Sequence, residues 1–185
     1  MRLFAAVLPP EAAVAELRDA VAALPPGERL RWTQEAGWHF TLAFMGEVED
    51  RLLPELYERL GRAAARTAPF PLRLHGSGHF GNRALWTGAA GGLDGLRMLA
   101  ERADAAARRA GVPMDQHRRY AAHLTLARSA HGDADLHPQL SALAAFEGTP
   151  WQVTELHLVR SNLPTSGIPG EQPRYEVVRS WPLTG

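Results

Sequence analysis

His39-Phe40-Thr41-Leu42-Ala43 and His123-Leu124-Thr125-Leu126-Ala127 are one pentad written twice: histidine, apolar residue, threonine, leucine, alanine. In an extended strand, residues i and i+2 share a face. His39 and Thr41 are therefore expected to point one way, and Phe40, Leu42 and Phe44 the other. His123 and Thr125 likewise oppose Leu124 and Leu126. Each copy reads as a strand with an apolar back and a front of imidazole plus hydroxyl. Alone, such a strand is ordinarily a half-buried His and Thr with no chemistry attached. Two copies in matched phase point to one cleft lined from both sides.

Working outward, strands and helices alternate around both copies. Residues 2–8 form an apolar run closed by Pro9-Pro10 and read as a buried strand. Val14, Leu17, Val21 and Leu24 recur at helical spacing until Pro25-Pro26-Gly27. A short strand over 30–33 precedes the first pentad strand, 39–45, which Gly46 is expected to end. Residues 50–65 read as a helix, with Leu52, Leu53, Leu56 and Leu60 inward. Arg51/Glu55, Glu55/Arg59 and Glu58/Arg62 are i,i+4 pairs on its wet face.

Beyond it, 70–74 reads as a strand, 75–82 as a Gly-rich turn, 85–87 as a strand and 88–95 as a loop. A helix over 93–110, with Leu93, Leu96, Leu99, Ala103 and Ala107 inward, stops at Gly111-Val112-Pro113. The second pentad strand is expected over 120–128, a short helix over 133–145, a β-rich stretch over 151–160, a mobile loop over 162–173 and a last strand over 175–181. The expected fold is α+β, bilobal and pseudo-duplicated. Two antiparallel-rich sheets would face an active-site groove with helices packed outside. Residues 1–185 would make one catalytic domain of two pseudo-symmetric lobes, one pentad each.

At 185 residues the chain is long enough to bury a proper core. Twenty basic and twenty acidic residues leave a formal net charge of +0. A general basic coat for long nucleic acid is therefore not evident, though a local basic cleft is allowed. All twenty basic residues are Arg, so Lys nucleophiles and Lys Schiff bases are excluded. With no Cys, so are disulfides, thiolate catalysis and Cys-ligated metals. Pro9, Pro10 and Glu11 interrupt the N-terminal apolar run far short of a signal peptide or membrane span. The expectation is a cytoplasmic protein with no membrane partner.

Two histidines and two hydroxyls without an acidic cluster are a poor metal site, because zinc asks for a third ligand at compact spacing. His75 and His79, flanking Gly76, Ser77 and Gly78, read as turn residues, and His131, His137 and His157 as isolated and exposed. Paired acid–base catalysis fits better. Imidazole titrates near neutrality, so one ring can take a proton from water while the other gives one to a leaving alkoxide. In-line attack on a phosphodiester needs these two groups on opposite sides of phosphorus, which two facing strands supply. Thr41 and Thr125 would hydrogen-bond the non-bridging oxygens. A cation would help, and Arg128 follows the second pentad, although an unbroken strand turns it away from His123. Arg118 and Arg119 are weaker candidates. Trp32, Phe44, Tyr120 and Tyr175 could stack on a base. The 88–95 stretch lacks the Gly-Lys-Ser/Thr of a phosphate-binding loop.

These residues resemble the two-histidine phosphoesterases, and within them the RNA 2′,3′-cyclic phosphodiesterase or 2′-5′ RNA ligase family. The similarity includes Arg2-Leu3-Phe4-Ala5-Ala6, Arg31-Trp32, the stretch from His39 to Val48, Gly78-His79-Phe80-Gly81 with Leu85-Trp86, the second pentad with Arg128, Ser161-Asn162-Leu163 and Tyr175. Ala122 stands where members often carry Pro. The resemblance implies no cofactor and no required metal. It implies His39 as proton donor to the leaving 3′-oxygen, His123 as the base on water, Thr41 and Thr125 on the phosphate, and Arg128 as the family's post-motif Arg. The partner implied is RNA or an oligonucleotide with a 2′,3′-cyclic phosphate end, and the product a 2′-phosphate. The expected working form is a monomer. Reversal of the same chemistry would join RNA halves 2′-5′. A module that binds RNA ends with a vestigial site is the alternative from another class.

Overall fold

A computed structural model describes residues 1–116 and 119–185. The expectation for Arg118 lies outside the described residues. Within them the order is β1 (Arg2–Val7), α1 (Glu11–Ala22), β2 (Leu30–Trp32), β3 (Phe40–Glu47), α2 (Leu53–Ala65), β4 (Phe70–Phe80), β5 (Ala84–Gly91), α3 (Leu93–Arg109), β6 (Leu124–Ser129), α4 (His137–Leu143), β7 (Trp151–Val153), β8 (Glu155–Asn162) and β9 (Arg174–Pro182). Single 3₁₀ turns occupy Glu35–Gly37 and Asp50–Leu52.

The strands form two antiparallel sheets, ordered β3-β1-β8-β9 and β2-β6-β5-β4-β7. The fold is therefore α+β with one pentad strand in each sheet. The sheets are not the two halves of the chain, however. The C-terminal hairpin β8–β9 completes the first sheet beside β1, and β2 crosses to the edge of the second beside β6. One apolar cluster runs from Leu3, Leu17 and Phe40 to Leu72, Leu99 and Leu124. Helix α2 buries Leu56 and Leu60. Its outer face carries Glu55–Arg59, at 2.6 Å, and Glu58–Arg62. Arg51 instead pairs with Glu49 at 2.7 Å, because the 3₁₀ turn ahead of α2 breaks the i,i+4 spacing to Glu55. Helix α3 turns Leu96, Leu99, Ala100, Ala103 and Ala107 inward, but Leu93, its first residue, is exposed because the helix has only begun there.

Three glycine readings change. The 75–82 stretch is strand, not turn: β4 continues to Phe80, and the bend is confined to Gly81, Asn82 and Arg83. A register shift against β5 between His75 and Gly78 absorbs one extra residue. His75 and His79 thus sit on a bulged strand. Similarly, β5 runs on to Gly91, and β3 passes through Gly46 to Glu47. Gly46 takes a φ of 64°, which a side chain would resist, at a second register shift against β1.

The pentads themselves carry the bend that sets the site. Opposite β1, Ala43 pairs with Ala5 and Thr41 with Ala6, so Leu42 is the extra residue of a bulge. Opposite β5, Ala127 pairs with Leu85 and Thr125 with Trp86, so Leu126 is extra in the same way. Leu42 and Ala43 are consecutively buried, as are Leu126 and Ala127. The side-chain alternation slips by one after each threonine. Phe44 is therefore not on the apolar back with Phe40. It comes to the front with His39 and Thr41, and Arg128 joins His123 and Thr125.

Candidate active site

A cleft of about 510 Å³ lies between the sheets. Its walls include His39, Thr41 and Phe44 from one sheet and His123, Thr125 and Arg128 from the other. Arg2, Arg31, Glu171 and Tyr175 also line it. Three guanidinium groups against one carboxylate make the cleft cationic in a chain of balanced charge.

His39 immediately precedes β3 and is caught between two rings. Phe4, from the adjacent β1, lies 4.6 Å away between centroids at 32°, and Tyr175 of β9 meets it edge-on at 5.2 Å. Burial among these rings lowers the His39 pKa to about 4, and the nearby charges of Arg128 and then His123 push the same way. In the free cleft at neutral pH, His39 is the neutral base form. The Tyr175 phenol is raised by burial.

His123 precedes β6 and has its own pair of rings. Phe80 stands edge-on at 4.8 Å and Trp86 lies at 6.0 Å. Its Nδ1 is 2.8 Å from the Ala121 carbonyl oxygen. A carbonyl only accepts, so Nδ1 carries the proton in the neutral ring and Nε2 is its basic nitrogen. Trp86 can lie against β4 only because residue 78 is glycine: a Cβ there would come within 2.1 Å of the indole.

Other expected site residues fall elsewhere. Trp32 alternates away from the cleft on β2 and packs on the core, while its neighbours Arg31 and Thr33 line the cleft. Tyr120 also packs on the core, and burial raises its pKa. Arg119 is exposed and does not line the cleft. His157 is half-buried rather than exposed, 2.7 Å from the Ser180 hydroxyl. Among the described residues no group of three or more His, Asp or Glu is arranged to hold a metal ion. No described helix is long and apolar enough to cross a membrane.

Sequence reasoning passed over Phe4, Phe80 and Trp86 as ring partners, because pairing between distant strands brings them to the histidines. It also missed Gln172, and it named Arg31 only within the resemblance, with no role in the cleft. Gln172 straps the 163–173 segment across to the second sheet's edge: its Nε2 donates to the Trp32 carbonyl at 2.6 Å, and its Oε1 accepts from the Gln34 amide at 2.9 Å.

Two facing sheets, each presenting a His-x-Thr strand to one cationic cleft, define a two-histidine phosphoesterase arrangement. Residues 6–164 match the model of the 2′-5′ RNA ligase superfamily. The chain belongs to that superfamily. It is 33% identical over 199 aligned residues to an RNA 2′,3′-cyclic phosphodiesterase of Thermus thermophilus, covering 100% of this chain and 91% of the relative. It is 32% identical over 171 residues to one from Geobacillus stearothermophilus, covering 90% of this chain. The match spans 51% of that relative, about half its length. Among solved structures, E. coli LigT complexed with 3′-AMP superposes with a TM-score of 0.79 at 28% identity, covering 100% of this chain and 98% of that one. A solved Thermus thermophilus protein gives 0.75 at 31%, covering 100% and 99%.

Proposed function

We propose that this chain hydrolyses 2′,3′-cyclic phosphate ends of RNA or nucleotides to 2′-phosphates without a metal. The convergence of His39, Thr41, His123, Thr125 and Arg128 on one cleft carries the reading. The relatives bearing the name RNA 2′,3′-cyclic phosphodiesterase support it. His123 Nε2 takes a proton from water as the water oxygen bonds to phosphorus. The bond from phosphorus to the 3′-oxygen breaks, and His39 delivers a proton to that oxygen. Thr41, Thr125 and Arg128 hold the charge that gathers on the non-bridging oxygens. Phe44 and Tyr175 flank the nucleoside. The working form is a cytoplasmic monomer of one domain.

The acid role makes a demand on His39. In the free cleft its pKa is about 4. A bound phosphodiester anion offsets Arg128, and a neutral His123 exerts no repulsion, so substrate binding favours uptake of the donor's proton. The reverse assignment, His39 as base and His123 as acid, is favoured by that same low value. The Nδ1–H of His123 on a carbonyl also suits an imidazolium.

The test is turnover of a 2′,3′-cyclic nucleotide followed by phosphorus NMR, in wild type, His39→Ala and His123→Ala, with and without EDTA. Each variant is expected to lose about 10²–10⁴-fold, with EDTA without effect. Near-wild-type turnover in either variant sinks the paired mechanism. A diester with a nitrophenolate leaving group needs no acid. It should rescue His39→Ala but not His123→Ala, and the opposite pattern reverses the roles.

A further inference from the structure

Arg31 and Arg128 are directly paired residues on adjacent antiparallel strands, β2 and β6. Both line the cleft. Neither forms an ion pair among the described residues: Arg31 comes near Gly170, and the adjacent Glu171 carboxylate is engaged by the Ser166 hydroxyl. Like charges directly opposite one another across a strand pair are destabilising. Such a pair facing a cleft is relieved by an anion between the two guanidinium groups. The space does not stop there. A second hollow of about 360 Å³ shares Arg31 and Ala130 with the cleft and continues past them to Glu28, Arg29, His131 and Asp133. The Arg29–Asp133 ion pair lies along it.

Resting on the activity proposed above, we propose that Arg31, with Arg128, forms a second phosphate subsite. It takes the phosphodiester on the 5′ side of the terminal nucleotide, with the preceding nucleoside in the hollow beyond Arg31. One arginine pair then serves two phosphates. Arg128 leans to the reacting phosphate beside His39 and His123, and Arg31 to its upstream neighbour. A cyclic mononucleotide fills one subsite, and an RNA end fills both. A guanidinium suits this position because its planar fork can bridge two phosphate oxygens.

The test uses equilibrium binding of two unreactive products, a nucleoside 2′-phosphate and a dinucleotide ending in a 2′-phosphate, to wild type, Arg31→Gln and Arg31→Lys. Wild type should bind the dinucleotide about tenfold more tightly, the gain expected of one added charge-assisted contact. Arg31→Gln should lose several-fold more affinity for the dinucleotide than for the mononucleotide. Its salt dependence should fall by about 0.7 in log–log slope, the value of one phosphate contact on a single strand, and Arg31→Lys should restore that slope. Arg31→Gln should also melt higher than wild type, because a like-charge pair is removed. Equal affinity of wild type for both ligands, equal losses on both in Arg31→Gln, or an unchanged salt slope overturns the subsite. A wild type that prefers the dinucleotide yet turns over neither cyclic substrate sinks the activity and leaves the subsite standing. The opposite result sinks the subsite alone.

Discussion

Phe44 and Arg128 occupy matching places in the two sheets, each three residues after a cleft threonine and each turned inward by a bulge at the preceding leucine. Identical backbone devices thus deliver opposite chemistry. Phe44 offers a ring, with the Arg2 guanidinium 4.8 Å above it. Arg128 offers a charge that lowers the His39 pKa. Arg128→Ala should therefore do two separable things. Turnover should fall by about 10²–10³-fold, as when a transition-state charge donor is removed. The His39 imidazole should also titrate at higher pH, read by NMR. An unmoved His39 titration would place the guanidinium away from the site.

Burial of His39 links the site to stability. An ordinary imidazole titrates near 6.5, and His39 near 4 in the folded chain. Between those values the unfolded chain binds more protons than the native one, so stability falls as pH falls. The contribution is intact above about pH 6.5 and is lost by about pH 4. At ~1.4 kcal/mol per pH unit, this amounts to about 3 kcal/mol. Denaturant melts of wild type and His39→Gln at pH 7 and pH 4 check it. The wild type should lose more stability on acidification, and parallel losses would contradict a buried neutral ring.

Gly78 bears on His123 from a distance. Its missing side chain admits the Trp86 indole, which together with Phe80 flanks the His123 ring. Gly78→Ala forces a carbon into that space and should cost about 1–3 kcal/mol, as overpacking generally does. The variant should show altered tryptophan fluorescence and a reduced kcat, with the His39 titration unchanged. A variant as active and stable as wild type would mean that the indole does not fix the ring.

The Gln172 strap joins the β8–β9 connection to the β2 side of the cleft through two hydrogen bonds. Gln172→Ala should remove about 1–2 kcal/mol, the ordinary worth of such bonds. It should raise KM more than it lowers kcat, because the strap shapes the cleft wall without touching the histidines. Hydrogen exchange at the Gln34 amide should quicken. Unchanged exchange there would show that the amide has another partner.

Much of the architecture could be read from local pattern. The stripes of α2 and α3, the apolar β1 and the strand character of both pentads follow from periodicity, which short-range geometry enforces. The glycine-rich 75–82 segment misled because glycine marks turns and bulges alike. Only the partner strand decides between them, and β5 holds this one extended through the bulge. As aromatics near a pentad, Trp32 and Tyr120 are candidates for the cleft, yet both pack on the core. Proximity in sequence does not say which face a short strand or a connecting segment buries.

Local sequence sufficed for the pentads: two imidazoles at strand starts and two hydroxyls on those strands, in phase, with no cysteine, lysine or phosphate-loop chemistry competing. Those features rest on the two-residue repeat of a strand, which is local. What surrounds them comes from contacts between distant strands. Bulges at Leu42 and Leu126 brought Phe44 and Arg128 to the front, pairing of β2 with β6 set Arg31 against Arg128, and ring pairs from distant strands enclosed each histidine. Register and strand order are long-range quantities. They are fixed when the two sheets close on a shared core, and no window of neighbouring residues contains them.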